Sequence, residues 1–131
     1  MKLAVIIPVY NAENTIRKAV KSIDTTHDVE IICINDGSTD RTKQVLTELQ
    51  KEVKHLIVYH QDNQGAAKSR NMGLSAMSDD IDAFMFLDAD DQFLPGKMDQ
   101  MIQYYEKNEH LDIVIGQIGR GLNGDWKVIP T

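Results

Sequence analysis

Short apolar runs alternate with helix-like segments along this chain, and this alternation limits the fold more than any other feature. Continuous apolar runs predict buried strands, and apolar residues at helical spacing predict amphipathic helices. The predicted strands are Leu3–Pro8, Glu30–Asn35, His55–Tyr59, Ala83–Leu87 and Asp112–Ile118. The predicted helices are Glu13–Ile23, the segment with the apolar stripe Val45, Leu46 and Leu49, Gln64–Met77 and Pro95–Asn108. Together they predict an α/β fold with a mostly parallel central sheet and helices on both faces.

The length of the chain predicts its domain organisation. A chain of 131 residues is the usual size of one domain. We therefore expect a single domain over residues 1–131, with a core over about residues 2–117. Residues 118–131 form a terminal hairpin or loop in this interpretation, since Asn123-Gly124 favours a tight turn between antiparallel strands.

Composition excludes several classes of function. The 14 basic and 20 acidic residues give a net charge of −6, which argues against nucleic acid as a partner because phosphate binding needs a basic face. The single cysteine, Cys33, lies in an apolar run and is expected to be a buried core residue. Neither a signal peptide nor an apolar run of about 20 residues is present. We expect a cytoplasmic protein, one that is able to act peripherally at the inner face of the membrane.

An apolar run that ends in three carboxylates predicts a metal site. Phe84–Leu87 reads as a buried strand, and Asp88, Asp90 and Asp91 follow it directly. Residues two apart on a strand point to the same side, so Asp88 and Asp90 can converge on one point. Oxygen ligands of this type suit Mg²⁺ or Mn²⁺ bound together with the phosphates of a ligand. The alternative is a solvated acidic loop.

Polar residues also follow the other predicted strands directly. They are Tyr10-Asn11 after the first strand, Asp36 after the second and Asp62-Asn63-Gln64 after the third. Ligands of open parallel sheets bind beyond the carboxyl ends of the strands, near a switch in strand order. The recurrence of acids and amides at these positions therefore predicts one ligand site along this edge of the sheet.

Four stretches, in this order and spacing, resemble the family 2 glycosyltransferases of the GT-A fold. They are Ile6-Ile7-Pro8-Val9-Tyr10-Asn11-Ala12-Glu13, Ile34-Asn35-Asp36-Gly37-Ser38-Thr39-Asp40, Asn63-Gln64-Gly65-Ala66-Ala67-Lys68-Ser69-Arg70-Asn71-Met72-Gly73 and Leu87-Asp88-Ala89-Asp90-Asp91. The resemblance implies a Rossmann-like GT-A fold. It also implies binding of a nucleotide-diphosphate sugar, usually a UDP-sugar, with Mn²⁺ or Mg²⁺, and inverting transfer of the sugar to an acceptor hydroxyl. The acceptor class, a glycan, a lipid-linked glycan or a cell-surface polymer, stays open.

The resemblance implies a base pocket from the first two stretches. It places Pro8 and Tyr10 against the planar base, with Asn11 and Glu13 in the same donor site. Asp36 would accept a hydrogen bond from the imide N–H of uracil. The alternatives are a rim position for Tyr10 and a helix-capping role for Asp36, although Ser38, Thr39 and Asp40 also offer caps.

The resemblance assigns the phosphates and the metal to the later stretches. Gly65 and Ala66 would let the donor approach the start of a helix, whose N–H groups attract anions. Arg70 would lie near the base or the phosphates; its alternative is a surface arginine. In the acidic stretch the resemblance places Asp88 and Ala89 at the ribose side and Asp90 on the metal. Asp91 is the rival metal ligand.

The chain departs from the family pattern in one respect. Inverting members use a further carboxylate, downstream of the acidic stretch, to deprotonate the acceptor, and neither Asp112 nor Asp125 falls at the expected place. We therefore expect the donor-binding half without the acceptor half, and no catalytic base is identified. The alternative function is a non-catalytic nucleotide-sugar-binding module. An exposed edge strand would also allow a homodimer.

Other nucleotide-binding classes lack their motifs here. A dinucleotide-dependent oxidoreductase requires a glycine-rich turn after the first strand, and Pro8–Glu13 contains no glycine. A nucleotidyltransferase requires a glycine-rich basic loop near the N-terminus. A haloacid-type phosphatase requires a threonine two residues after its second aspartate, and here Gln92 follows Asp90-Asp91.

Overall fold

The structure, a computed structural model, describes residues 1–108, 118–122 and 125–129. Its elements are β1 (Lys2–Val9), α1 (Ile16–Lys21), β2 (Asp28–Asp36), α2 (Thr42–Glu52), β3 (Leu56–Gln61), α3 (Ala66–Ala76), β4 (Ala83–Phe86), α4 (Lys97–Lys107), β5 (Ile118–Leu122) and β6 (Asp125–Ile129). The chain divides into two compact units, Met1–Gln92 and Phe93–Thr131.

The first unit contains a four-stranded parallel sheet in the order β3-β2-β1-β4. This arrangement confirms the predicted α/β, Rossmann-like class. The order follows from the chain: β1, β2 and β3 are added in one direction, and the connection through α3 then returns to place β4 on the other side of β1. The carboxyl ends of β1 and β4 are therefore neighbours at the switch in strand order, where open α/β sheets bind their ligands.

Helices cover both faces of the two central strands. On one face, Ile6, Ile32 and Ile34 form a buried cluster against Leu74 and neighbouring residues of α3. Side chains alternate along a strand, so Val5 lies on the opposite face, and it is also fully buried. On that face α1 contacts α2, and α2 contacts β3. Burial on both faces explains the continuous apolar runs Leu3–Val9 in β1 and Ile31–Ile34 in β2.

The prediction of a buried strand before the acidic residues is wrong for β4. Phe84 and Phe86 are 48% and 43% exposed. Both pair in register with β1 residues that face α3, but α3 lies over β1 and β2 rather than over β4. Within the part of the chain that the structure describes, β4 is an edge strand, so its apolar side chains stay accessible.

The predicted elements of the first unit are confirmed, with shifted ends. Each of the strands β1, β2 and β3 extends past its predicted end by one to two residues. Helix α1 is shorter than the predicted Glu13–Ile23, because residues before Ile16 make hydrogen bonds to a neighbouring loop instead. In α2 the stripe residues Leu46 and Leu49 are buried and Val45 is half-buried.

The second unit contains α4 and a hairpin. Met98 and Ile102 of the predicted apolar stripe are buried, and Met101 and Tyr105 are half-buried. β5 and β6 pair antiparallel from Ile118↔Ile129 to Leu122↔Asp125. The predicted turn, Asn123-Gly124, and residues 112–117 of the predicted fifth strand lie outside the described residues. Among the described helices, none has the length and apolar character needed to cross a bilayer.

Candidate donor site

A cleft of about 400 Å³ lies at the carboxyl ends of the strands. Its walls come from β1, β2, α3 and the segment after β4, which meet because β1 and β4 are adjacent and the Leu87 N–H donates to the Ile6 carbonyl, 3.0 Å away. The lining residues are Pro8, Val9, Tyr10, Asn11, Ala12, Thr15, Asp36, Ala66, Ser69, Arg70, Asp88, Ala89 and Asp90. Three of the sequence-predicted site residues are described by the structure but are not among the residues that line this cleft: Glu13, Gly65 and Asp91.

Tyr10 and Asn11 form the loop after β1. Tyr10 is 48% exposed at the cleft, so its ring presents an open apolar surface. Asn11 has a φ of 46°, a left-handed conformation that asparagine tolerates better than most residues. The Asn11 N–H donates to Ser38 Oγ at 3.0 Å, and Asn11 Oδ1 accepts the Thr39 N–H at 2.7 Å. The loop after β1 is thereby fastened to the loop after β2.

Glu13 belongs to the same loop-to-loop contact. Its Oε2 accepts the Arg41 N–H at 3.2 Å, and its own N–H donates to Asp40 Oδ2 at 3.3 Å. The Ala12 N–H donates to Thr42 Oγ1 at 2.9 Å beside them. Glu13 therefore satisfies backbone groups of the second loop, and in this structure its carboxylate supports the cleft wall from behind.

Asp36 is buried at the end of β2 and accepts three hydrogen bonds. They come from Gln61 Nε2 at 2.9 Å, the Gln64 N–H at 2.8 Å and the Gly65 N–H at 2.9 Å. Burial raises the pKa of Asp36, but the three donors outweigh burial and hold the pKa below its ordinary value. Asp36 does not cap α2, which has no side-chain cap. It fixes the segment that leads into α3.

The ionised form of Asp36 is expected to stabilise the fold in a pH-dependent way. A carboxylate with a lowered pKa in the folded state contributes stability above its unfolded pKa of 3.8, and this contribution is lost as the pH falls through the folded pKa. We expect Asp36→Asn to lower the free energy of unfolding at neutral pH by about 1–3 kcal/mol. The difference from the unmodified chain will shrink towards about pH 2.

Urea unfolding at several pH values measures this effect. Asp62→Asn, at an exposed position in the loop after β3, is the matched control and is expected to change the free energy of unfolding little at any pH. A difference between Asp36→Asn and the unmodified chain that stays constant down to about pH 2 would contradict the prediction.

Gly65 and Ala66 form the start of α3. Gly65 has a φ of 97°, a conformation that favours glycine, and its N–H points to Asp36. No side chain caps α3, so the first turn of this eleven-residue helix offers backbone N–H groups beside the cleft-lining Ala66. An anion at this end of the cleft would be attracted to them. A Cβ built at Gly65 would meet no atom within 4 Å, so its backbone conformation rather than crowding favours glycine there.

Arg70 lies one turn into α3 and faces the end of β4. Its guanidinium Nη2 is 3.4 Å from Asp88 Oδ1, and its Cζ is 5.9 Å from the centre of the Phe86 ring. The ion pair is partly solvated, with both side chains more than a third exposed, so it contributes little stability. The arginine is thus held at the cleft by contacts that a ligand can replace.

The acidic triplet Asp88, Asp90 and Asp91 is the candidate metal-binding group of the site. One carboxylate oxygen each from Asp88, Asp90 and Asp91 lies within 4.8 Å of the others, and all three side chains are exposed. The Asp91 N–H donates to the Asp88 carbonyl at 3.0 Å, which folds the three residues into a turn. Burial, and then the charges of Asp90 and Asp88, raises the pKa of Asp91. A divalent cation would relieve this repulsion, so the donor set fits Mn²⁺ or Mg²⁺.

Two polar residues of this region, the buried Ser69 and the half-buried Gln61, were not predicted from the sequence. Ser69, fully buried in α3, lines the cleft, and its Oγ donates to the Gly65 carbonyl at 3.0 Å. Gln61, at the end of β3, donates from Nε2 both to Asp36 and, at 3.2 Å, to Ser69 Oγ. Gln61 directly precedes the polar Asp62-Asn63-Gln64 cluster, and its position at a strand end was the available signal.

The sequence matches the family described as glycosyl transferase family 2 over residues 4–130. One relative is TagX of Staphylococcus aureus strain MRSA252, a protein named as a glycosyltransferase, with 39% identity over 132 residues. The alignment covers 98% of this chain and 37% of TagX. Glycosyltransferase GlyA of Streptococcus pneumoniae serotype 4 is 38% identical, over 88% of this chain and 16% of GlyA. The chain thus spans little more than a third of the length of TagX and about a sixth of the length of GlyA.

Solved structures agree with the sequence match. Residues 1–349 of S. aureus TarS superpose with a TM-score of 0.72 and 26% identity, over 83% of this chain and 33% of that one. The same TarS fragment was also solved in complex with UDP, and it superposes with the same TM-score at 25% identity. With the fold, the four sequence stretches and the family match in agreement, the chain belongs to glycosyl transferase family 2.

Proposed function

We propose that the cleft binds the nucleotide-diphosphate part of a sugar donor, with UDP as the nucleotide, for transfer of the sugar to an acceptor hydroxyl. The observation that carries this proposal is the convergence of Tyr10, Asp36, Arg70 and two exposed carboxylates on one cleft at the strand-order switch. The UDP complex of TarS, a protein with the same fold, supports the choice of nucleotide.

The wall built by β1 and β2 suits the base. Tyr10 offers an accessible ring against which a planar base can stack, together with the apolar surface of Pro8. Asp36 is an acceptor because its pKa lies below the ordinary value. It therefore suits a base edge that presents an N–H donor, such as the imide of uracil. Asn11 and Glu13 hold this wall in place through their bonds to the second loop.

The wall built by α3 and the segment after β4 suits the diphosphate. The N–H groups at the start of α3 and the Arg70 guanidinium provide positive charge on one side. Asp88 and Asp90 line the other side; Asp90 would hold Mn²⁺ or Mg²⁺, with Asp91 as the rival metal ligand, and Asp88 would face the ribose. When bound, such a metal neutralises charge on the departing diphosphate. Asp88, which contacts Arg70 in this structure, would exchange that contact for one with the donor.

The transfer step is proposed to invert the anomeric carbon, and the acceptor to be a glycan, a lipid-linked glycan or a cell-surface polymer. A general base must reach the acceptor proton within hydrogen-bond distance. Among the residues that the structure describes, we assign the role of general base to none. The residues of the cleft bind and orient the donor.

A melting-temperature measurement with nucleotides tests the proposal. A ligand at about 100 times its dissociation constant adds about 2.7 kcal/mol to the free energy of unfolding, which raises the melting temperature by about 5–15 °C for a domain of this size. We expect this rise with UDP and Mn²⁺, and a smaller rise with UDP and EDTA or with UMP and Mn²⁺. Equal melting temperatures with and without UDP, in the presence of Mn²⁺, would remove the basis of the proposal.

A further inference from the structure

The side chains of Asp36 and Gln61 leave the sheet together. Asp36 is the last residue of β2, Gln61 is the last residue of β3, and the two are register partners in the parallel pair. Paired residues of neighbouring strands project to the same face, which brings Gln61 Nε2 within 2.9 Å of Asp36 Oδ1. Gln61 supplies the side-chain donor among the three donors that the structure describes for this carboxylate.

The hydrogen bonds of Gln61 fix the orientation of its amide. Nε2 carries two N–H groups, and each has an acceptor: Asp36 Oδ1 and Ser69 Oγ. The Ser69 hydroxyl already donates its O–H to the Gly65 carbonyl, so Ser69 Oγ can only accept a hydrogen bond from Gln61. A reversed amide would place Oε1 against a carboxylate and a hydroxyl oxygen without a proton to donate. The Gln61 amide is therefore a donor towards Asp36.

The two oxygens of Asp36 are used unequally. Each carboxylate oxygen has about two acceptor positions. Oδ1 accepts from Gln61 at 2.9 Å and from the Gln64 N–H at 2.8 Å, whereas Oδ2 accepts from the Gly65 N–H at 2.9 Å. Asp36 is 4% exposed and lines the cleft. Counting the donors among the residues that the structure describes, one acceptor position, on Oδ2, remains for a ligand.

We propose that Gln61 is a positioning residue that sets the selectivity of the cleft for the nucleotide base. It holds Asp36 as a hydrogen-bond acceptor with one free lone-pair position, and that position selects a base whose facing edge carries an N–H donor. The inference rests on the proposed function. Uracil presents N3–H, whereas cytosine presents a lone pair at N3. If cytosine faced Asp36, its N3 and the free position on Asp36 Oδ2 would be two acceptors without a donor between them in a buried site. A site of this kind therefore rejects cytosine, which lacks the N3–H donor.

Two substitutions change this acceptor in opposite ways. Gln61→Leu removes the amide and leaves Oδ1 with a free position, which relaxes the orientation of the carboxylate. Gln61→Glu keeps the shape of the side chain but places a second carboxylate beside Asp36. Two carboxylates at this distance share a proton, and a protonated pair can donate an O–H to cytosine N3.

Calorimetric titration with UDP and with CDP, each with Mn²⁺, tests the proposal through the ratio of the two dissociation constants. We expect the unmodified chain to prefer UDP, Gln61→Leu to lose about tenfold of that preference, and Gln61→Glu to lose about a hundredfold. Gln44→Glu, on the exposed side of α2, is the matched charge control and is expected to keep the ratio. Melting temperatures measured on the same samples report folding.

The outcomes separate this inference from the proposed function. An unmodified chain that binds neither nucleotide overturns both. UDP binding that weakens in the Gln61 variants while the ratio stays unchanged gives Gln61 a structural role only and overturns the inference alone. If both variants are unfolded, Ser69→Ala takes their place, because it removes Ser69 Oγ, one of the two acceptors that orient the amide. A threefold loss of preference for UDP then supports the inference, and an unchanged ratio overturns it.

Discussion

Replacing Gly73 by alanine is expected to lower the free energy of unfolding by about 2 kcal/mol, because α3 packs on β1 without space for a side chain at this position. A Cβ built at Gly73 would lie 2.3 Å from Ile6 Cγ2. Ile6 is fully buried in the centre of the sheet, between register partners Ile32 and Phe86. It has little freedom to retreat, so α3 must shift instead. The higher helix propensity of alanine returns less than about 1 kcal/mol.

The same substitution is expected to weaken nucleotide binding, since α3 carries Ser69 and Arg70 into the cleft. Chemical unfolding and UDP titration measure the two effects. Met72→Ala, at the neighbouring exposed position of α3, controls for the effect of alanine in this helix. A double-mutant cycle with Ile6→Ala, which removes the contacted methyl group, should recover part of the loss. Additive losses in this cycle would show that the contact with Ile6 is not the cause.

Sequence periodicity predicted the elements because it reports local burial. The runs in β1 and β2 are apolar at every position, since helices cover both faces of these strands, and no tertiary information was needed to recognise them. The exposure of Phe84 and Phe86 could not be read in the same way. Whether an apolar strand is central or at an edge depends on strand order, and that order is set by a connection that returns across the sheet.

For the site, the sequence likewise predicted the location but not the long-range contacts. Acids and amides directly after strands predicted a shared edge, and the structure brings Tyr10, Asp36, Arg70 and Asp88 to one cleft there. The roles of these residues came from a family resemblance, and the individual assignments stay predictions. What no local pattern contains is the set of partners of Asp36. Its donors are 25, 28 and 29 residues away in sequence, and only the parallel pairing of β2 with β3 brings them together.

Glu13 illustrates the limit from the other side. The family resemblance of the first stretch, in which it lies two residues after Asn11, made it a candidate for the donor site, and its carboxylate accepts a backbone N–H of the second loop. A motif shows which residues recur together, and it does not separate those that touch a ligand from those that hold the touching residues in place. The hydrogen bonds of Glu13 join the two loops, and its contact with a donor stays a prediction.

Asp90→Asn is expected to abolish the metal-dependent part of UDP binding, which is the largest functional effect that we predict. With Mn²⁺ present, loss of one carboxylate from a cluster whose oxygens lie within 4.8 Å of one another should weaken UDP binding by at least about tenfold. With EDTA the sign reverses. The carboxylate then faces the diphosphate as a like charge, so the variant is expected to bind UDP as tightly as the unmodified chain, or more tightly.

Titration of UDP in Mn²⁺ and in EDTA measures both signs on the same protein. Asp79→Asn, an exposed position before β4, makes the same change in net charge away from the cleft, and both affinities are expected to stay as they are.

Asp91→Asn decides between the rival ligands, because the true metal ligand is the one whose loss removes the Mn²⁺ effect. A uniform loss of affinity in Mn²⁺ and in EDTA would instead mean that Asp90 touches the nucleotide directly. If both variants keep the full Mn²⁺ effect, the metal does not bind at the acidic triplet. Metal binding would then no longer explain why three like charges follow an apolar strand.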